Sequence, residues 1–304
     1  MYRTFNDEMK WLFGRKVWKL SLDGGFTCPN RDGTLGYGGC TFCAGGGRFV
    51  PDSSLPMDVQ IENAKAILGD KAKNAGFLAY FQSGTNTYAP VSRLRETFFP
   101  VIRREDILGL SIGTRPDCVD EEKLDYLAEL AENHVVIVEY GIESCYDGTL
   151  KRINRGHDFE TARRAVQMTA ERGIDVGVHF ILGLPGETRQ MMLDACSLIN
   201  DLPIRSVKFH QLQIIKGTRM EQEYAERPQD FERFDLDEYL DFFVDMLERL
   251  RPDIHIERFV GEVPPRFVNE TPWGLIRNVE LLRLLDRRLE ERQTWQGRRL
   301  QLKI

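Results

Sequence analysis

The 304-residue sequence reads as an α/β protein, a parallel sheet or barrel whose strands alternate with helices. Two observations predict this class. Six apolar runs of strand length are each followed by a stretch of helical periodicity. Composition is that of a folded domain: 42% of residues are apolar, 29% charged and 10% aromatic, which excludes wholesale disorder. A third observation concerns scale. The length allows two average domains, yet a single α/β barrel fills it equally well.

The elements follow in order. A strand is expected over 17–22, then a long glycine-rich connection over 23–56 and a helix over 57–74. Further strands are expected over 77–81, 107–112, 135–140, 174–182 and 207–215, with helices over 92–103, 119–132, 158–171, 187–201 and 235–250. Asp117 or Asp120 can cap the third helix, where Glu121 and Glu122 favour its positive end, and Gly173 stops the fourth. A final strand is expected at 254–259. Beyond Pro264-Pro265 the pattern changes, and 275–293 forms one amphipathic helix rich in Leu and Arg. Repetition of this kind requires parallel strands with crossover helices. Ligands of such folds bind on the loops at the C-terminal strand ends.

No run approaches the roughly 18–20 apolar residues of a membrane span. Residues 1–8 lack a basic stretch followed by an apolar one, so no signal peptide is expected and the compartment is read as cytoplasmic, with no membrane partner. The net charge of −6 is uneven: residues 1–50 carry +3 and 271–304 carry +4, which leaves −13 for the middle. Basic ends can grip a polyanion locally, although a solvated charged helix face explains them as well.

Six cysteines in a cytoplasmic chain point to metal or redox chemistry rather than disulfides. Cys28, Cys40 and Cys43 fall in one loop with spacing Cys-x11-Cys-x2-Cys, within Gly24–Gly25 … Cys28-Pro29-Asn30-Arg31-Asp32-Gly33 … Gly38-Gly39-Cys40-Thr41-Phe42-Cys43-Ala44-Gly45-Gly46-Gly47. Zinc wants a fourth ligand that the loop does not supply, and a redox pair leaves Cys28 without a role. Three thiolates suit a 4Fe–4S cluster with one open iron; zinc or buried thiols remain the alternatives. Cys118, Cys145 and Cys196 stand alone and read as buried thiols, with Cys118 or Cys145 the alternative candidates for a substrate-side role.

Each later strand runs into a polar or glycine-bearing loop: Gln82-Ser83-Gly84-Thr85-Asn86-Thr87, Gly113-Thr114-Arg115-Pro116-Asp117, Glu139-Tyr140-Gly141-Ile142-Glu143-Ser144, Ile181-Leu182-Gly183-Leu184-Pro185-Gly186 and Lys208-Phe209-His210-Gln211. With the cysteine loop, these blocks resemble radical S-adenosylmethionine (SAM) enzymes. Within them they are most similar to the YtqA/YhcC-like family of the Elongator-type and coproporphyrinogen-oxidase-like branch, over about residues 15–300.

That resemblance implies a partial (β/α)6 TIM-like radical SAM barrel with a short C-terminal helical cap. The bounds expected are an N-terminal extension 1–15, a core barrel 16–260 and a basic helical cap 261–304. It implies a 4Fe–4S cluster on Cys28, Cys40 and Cys43, with SAM as second cofactor, cleaved to a 5′-deoxyadenosyl radical that abstracts hydrogen from substrate. By motif matching, Gly84 and Thr85 meet the SAM amino group, Glu139 the ribose, Arg155 the carboxylate, and Ile181–Gly183 the adenine. Glu139 has an alternative as a strand-end salt-bridge partner, and Arg155 as a helix-to-loop contact.

His179 and His210 read as substrate contacts, proton donors or satisfied core histidines. Asn86 and Tyr88 are candidate substrate contacts, and Asp117 a helix cap. Arg283, Arg287, Arg288 and Arg292 on the last helix can close the barrel's open side or contact RNA. No catalytic side chain beyond these is assigned. The substrate implied is tRNA, in a step that converts a 5-carboxymethylaminomethyl wobble uridine towards the aminomethyl form. The partners implied are a reductant such as flavodoxin or ferredoxin and a downstream methyltransferase. A small-molecule or peptide substrate, and a non-catalytic metal-stabilised RNA-binding protein, are the alternatives.

Overall fold

A computed structural model describes residues 1–45, 52–261, 263–270, 273–274 and 276–300. Gly46 and Gly47 of the cysteine loop lie outside them. Seven strands, β1 (Val17–Leu22), β2 (Gly76–Phe81), β3 (Ile107–Thr114), β4 (Val135–Glu143), β5 (Asp175–Leu182), β6 (Ser206–Gln211) and β7 (His255–Arg258), form one sheet in chain order. All six pairings are parallel. The sheet curls into an open half-barrel, the expected partial barrel, and the final strand expected at 254–259 is its seventh, β7. The strand expected over 207–215 ends early, at Gln211, whose side chain bonds both the amide and the carbonyl of Gly261.

The crossover helices are α2 (Met57–Leu68), α3 (Val91–Ile102), α4 (Glu121–Ala131), α6 (Phe159–Glu171), α7 (Arg189–Asn200) and α9 (Leu236–Leu247). Their starts follow from capping chemistry. Asp120, Asp158, Thr188 and Asp235 each accept an amide of the first turn, and Asp235 with Glu238 closes a full capping box. Asp117 is not a cap, because Arg115 holds both its oxygens at 2.9 and 2.7 Å. Three helices had no expectation: α1 (Phe5–Phe13), α5 (Asp147–Arg152) and α8 (Arg219–Glu226).

Side chains alternate across each strand, so the sheet has two distinct faces. The convex face, with Leu20, Phe81, Ile112, Val138, Val178 and Phe209, packs under the helices in the main core. The concave face is layered. Val17, Leu78 and Ile137 form an apolar floor that α1 plugs with Phe5 and Met9. Two residues further along, the same face carries Lys19, Tyr80 and Glu139. Helix α1 packs on both sheet edges, β1 and β7, and Thr4 bridges Ile256.

The last helix, α10 (Asn278–Glu291), buries Leu281, Leu285 and Leu289, one stripe at i, i+4, i+8. It packs on α9. Arg288 binds Asp237 at 2.8 Å and Asp241 at 2.5 Å; Arg292 binds Asp245 at 2.6 Å. Two of the four arginines expected at the open side or on RNA are thus matched to an acidic face of α9. Arg283 and Arg287 stay on the surface. We expect Leu285→Ala to destabilise the fold by about 2–5 kcal/mol, and Arg283→Ala by less than about 0.5 kcal/mol. Thermal or urea unfolding of the two variants measures the difference; equal effects would mean that α10 is not docked through its leucine stripe.

Candidate active site

The cysteine loop leaves β1 at a sharp corner. Asp23 Oδ1 accepts the Gly25 amide, and Gln60 of α2 bonds both the amide and the carbonyl of Asp23. The eleven residues between Cys28 and Cys40 then close on themselves. The Arg31 amide donates to the Cys28 carbonyl at 2.8 Å, that of Leu35 to Pro29 at 2.8 Å, and that of Gly39 to Asn30 at 2.8 Å. This turn absorbs the long gap and returns Cys40 and Cys43 beside Cys28. The loop is anchored to the barrel rim through Thr41 to Ile153, Thr85 to Thr27 and Met220 to Thr41.

Cys28, Cys40 and Cys43 line one cavity of about 560 Å³ at the C-terminal strand ends, together with Gly84, Thr85 and Arg155. The glycine after β2 is required: Gly84 has φ +75°, and a Cβ there would lie 2.2 Å from the Phe26 carbonyl oxygen. All three cysteines border this one space. Among the described residues no three His, Cys, Asp or Glu side chains converge on one point, as a single zinc ion demands. A four-iron cluster takes each cysteine at a different iron and has no such requirement. N–H donors also face two of the sulfurs. Asn30 Nδ2 and Arg155 Nη1 lie 3.6 and 3.5 Å from Cys40 Sγ, and Arg31 Nη2 lies 3.6 Å from Cys43 Sγ. Such outer donors accompany thiolates that ligate metal. The donor set fits the cluster.

The cavity floor is a layer of charge inside the barrel. Glu139 is 1% exposed and accepts from Lys19, Ser111, His179 and Lys208, which come from β1, β3, β5 and β6. The His179 Nε2 contact is 2.7 Å. Glu257 of β7 completes the layer, 2.7 Å from Lys19 and 3.0 Å from Lys208, and Lys208 also donates to the Tyr80 hydroxyl at 3.2 Å. Burial alone would raise the Glu139 pKa; Lys19, Lys208 and the His179 hydrogen bond outweigh it and hold the carboxyl well below its usual range. Glu139 lines the cavity, as a ribose contact must, but both its oxygens are engaged by the protein.

The other expected contacts divide. Arg155 lines the cavity but lies on Cys40 and on the Gly141 carbonyl. Ile181 and Gly183 are absent from the lining, and the Gly183 amide donates to Met192 Sδ in α7 at 3.1 Å. Asn86 is fully buried and its amide nitrogen donates to the Phe81 and Gly113 carbonyls, so it ties its loop to the ends of β2 and β3. The Tyr88 hydroxyl donates to Thr34 at 2.7 Å and braces the cysteine loop. His179 borders the cavity. His210, with its ring 5.9 Å from that of His179, has its pKa pushed well down by burial and then by His179. Cys118, Cys145 and Cys196 are buried; burial raises Cys118 and Cys196 to about 12 and Cys145 well above its ordinary value. Thiols of this kind are inert.

Several lining residues carried no assignment from sequence: Arg31, Tyr80, Arg115 and Glu143. Glu143 ends β4 after a bulge, with φ 74°, an unusual conformation for a side chain with a Cβ. One signal was available. Lys19, Glu139 and Lys208 are charges flanked on both sides by apolar residues within strands, and a parallel strand covered on both faces tolerates a charge only where it is matched.

Glu139→Ala leaves Lys19 and Lys208 with Glu257 as their one remaining shared carboxylate, at an expected cost of about 3–5 kcal/mol in unfolding free energy. The contribution has a defined sign with pH. The folded pKa lies below the unfolded value of about 4.3, so the stabilisation is present at neutral pH and fades as pH falls below about 4. Chemical denaturation at pH 7 and pH 3 checks both statements; a Glu139→Ala protein as stable as the parent at pH 7 would refute the matched-charge account.

The comparisons with known proteins come to the same place. The radical SAM superfamily profile matches residues 28–199, and the radical SAM C-terminal domain matches 204–291. Protein YtqA of Bacillus subtilis (strain 168) is 39% identical over 299 residues, 98% of this chain and 92% of its own length. Protein YhcC of Escherichia coli (strain K12) is 40% identical over 222 residues, 72% of this chain and 71% of its own. A tRNA uridine(34) acetyltransferase of Methanocaldococcus infernus is 30% identical over 116 residues, 37% of this chain but 21% of its own. The solved structure of the archaeal Methanocaldococcus infernus Elp3 superposes with a TM-score of 0.67 at 18% identity, over 92% of this chain and 64% of that one, a likeness of fold. With a family match over more than half its length and YtqA matched almost end to end, this chain belongs to the radical SAM superfamily as one of its YtqA/YhcC-like enzymes.

Proposed function

We propose that the cavity holds a 4Fe–4S cluster on Cys28, Cys40 and Cys43, with SAM bound beside it against Gly84 and Thr85. The observation that carries this is the placement of three cysteines of one loop around a single cavity, two of their sulfurs faced by N–H donors. When bound, the reduced cluster supplies one electron to SAM, which releases methionine and a 5′-deoxyadenosyl radical able to abstract hydrogen from a substrate. The chain's own residues orient and enclose. The Gly84 turn brings backbone close to the ligand, and the polar floor holds His179 at the cavity wall. Glu143, at the rim and, among the described residues, unshared except for Arg155 at 3.9 Å, suits ribose hydroxyls better than the occupied Glu139. Cofactor electronics belong to the cofactor; orientation and exclusion of water belong to the protein.

For substrate, the reading is tRNA, at the wobble uridine, with a 5-carboxymethylaminomethyl side chain remodelled towards the aminomethyl form. Support comes from the local similarity to tRNA uridine(34) acetyltransferases. The basic C-terminal helix contributes less than its sequence suggests, since Arg288 and Arg292 are spent on α9. A radical SAM enzyme needs a reductant; flavodoxin or ferredoxin is the natural donor, and a methyltransferase the natural next enzyme. The setting is cytoplasmic; no helix among the described residues is long and apolar enough to cross a membrane.

Anaerobic reconstitution should yield about four irons per chain and dithionite-dependent release of 5′-deoxyadenosine. Cys28→Ala, Cys40→Ala and Cys43→Ala should each lose the cluster and the release; retention of both by any one of them removes that ligand from the set. Mass analysis of tRNA nucleosides from a strain lacking the gene should show the carboxymethylaminomethyl form accumulating at the wobble uridine. An unchanged wobble profile removes the tRNA substrate and leaves the cofactor chemistry standing.

A further inference from the structure

A second cavity, of about 390 Å³, opens where β6 ends and beyond β7, beside the one that the cysteines line. Its volume is that of a small-ligand site. Gly261, which follows β7 and lines it, marks how near the two cavities lie. A Cβ there would stand 3.0 Å from His210 Nδ1 and 3.3 Å from Gln213 Oε1. The His210 ring is 5.9 Å from that of His179, and His179 borders the cysteine cavity. One pair of histidines therefore separates the two spaces.

The walls are set by backbone. Ile215 and Val268 form an antiparallel bridge, the Asn269 amide donates to the Ile214 carbonyl at 3.0 Å, and the Lys216 amide to the Phe267 carbonyl at 2.8 Å. Leu281 of α10 closes one side. The polar groups sort by what is already spent. Gln211 is engaged twice by Gly261, and Arg233 by Glu270 at 2.6 Å. Trp273 Nε1 donates to the Phe234 carbonyl at 3.0 Å, and its indole packs on Tyr239 with ring centroids 4.7 Å apart. With its single donor spent, the indole offers the cavity a rigid π surface and nothing else. Two side chains are left over. Among the described residues no hydrogen bond or ion pair engages the Gln213 amide or the Arg277 guanidinium, and both line the cavity.

A π surface, an amide that donates and accepts side by side, and an unpaired guanidinium match the three parts of a nucleotide. The base stacks, its edge pairs with the amide, and its phosphate meets the cation. Positive charge also continues outward. Helix α10, which walls the cavity with Leu281, carries Arg283 and Arg287 on its exposed face, where further phosphates of a chain would pass. We propose that this cavity seats an unpaired nucleotide of an RNA substrate, its base on Trp273, its edge on Gln213 and its phosphate on Arg277. It rests on the tRNA reading of the substrate above, and gives that substrate a seat one histidine pair from the cysteine cavity.

The test uses the full-length chain reconstituted anaerobically with iron and sulfide. Two RNA probes are compared by fluorescence anisotropy across a salt series: an anticodon stem-loop with an unpaired uridine at the wobble position, and a blunt duplex of the same length. The parent should prefer the stem-loop. Trp273→Ala should weaken stem-loop binding by about 5- to 100-fold and leave duplex binding unchanged. Trp273→Phe, which keeps a stacking ring, should recover most of that loss. Gln213→Ala should cost about 3- to 10-fold on the stem-loop alone. Arg277→Ala should lower the slope of log affinity against log salt by about one. Trp295→Ala removes another half-exposed tryptophan, beyond the end of α10, and should change neither probe. Gln213→Ala and Arg277→Ala remove side chains with no protein partner among the described residues, so they read the site even where Trp273→Ala does not fold. The proposal is overturned if the parent binds both probes alike, if the variants weaken both probes equally, or if neither Gln213→Ala nor Arg277→Ala alters stem-loop binding. A parent that binds neither RNA overturns the tRNA substrate and this site together, whereas a parent matched by all its cavity variants on the stem-loop overturns the site alone.

Discussion

A carboxylate with no access to water has to be matched, and the matching of Glu139 organises the barrel. Its donors come from β1, β3, β5 and β6, so the layer exists only when the sheet is curled enough for Lys19 to reach across the concave face. Two lysines face two glutamates across the layer. Replacing such a layer by apolar side chains can be neutral for stability, so its value lies in specifying one register and one curvature and in giving the cavity a polar floor.

The layers stack along the barrel axis with the two-residue period of the strands. Helix α1 and the apolar floor close one end; the charged layer lies above; the cavity and the cysteine loop occupy the other end. Each layer depends on the one beneath it. An open half-barrel has two free edges, and α1 is the element that packs on both. The cysteine loop in turn is held by backbone bonds to the segment after α5, to the loop after β2 and to the start of α8, so the three sulfurs are positioned by three separate parts of the chain.

Much of this was legible in the sequence, and the exceptions share a cause. The strands are continuous apolar runs because both faces of a parallel sheet are covered, and the Asp and Thr caps mark helix starts through local chemistry. Spacing alone grouped Cys28, Cys40 and Cys43 and set the other three apart. Helices α5 and α8 were missed because six and eight residues are too short for a helical period to register. Glu139 was matched to a cofactor by the family resemblance, with a strand-end salt bridge as the alternative, and the partner that salt bridge needs, Lys19, is 120 residues away. Asn86 and Tyr88 were read as candidate substrate contacts and are spent on bracing backbone and loop.

The sequence by itself determined the fold class, the family, the cysteine triplet and the loop faces on which a ligand binds, because periodicity, capping and motif spacing are local properties of a chain. Tertiary structure alone decided which polar side chains remain free. Arg288 and Arg292 of α10 are neutralised by α9, Glu139 is saturated by four strands, and Arg155 is bound to Cys40, while among the described residues the Gln213 and Arg277 side chains stay unpaired. Hydrogen-bond saturation depends on partners brought together by folding from far along the chain, and no spacing in the sequence records it.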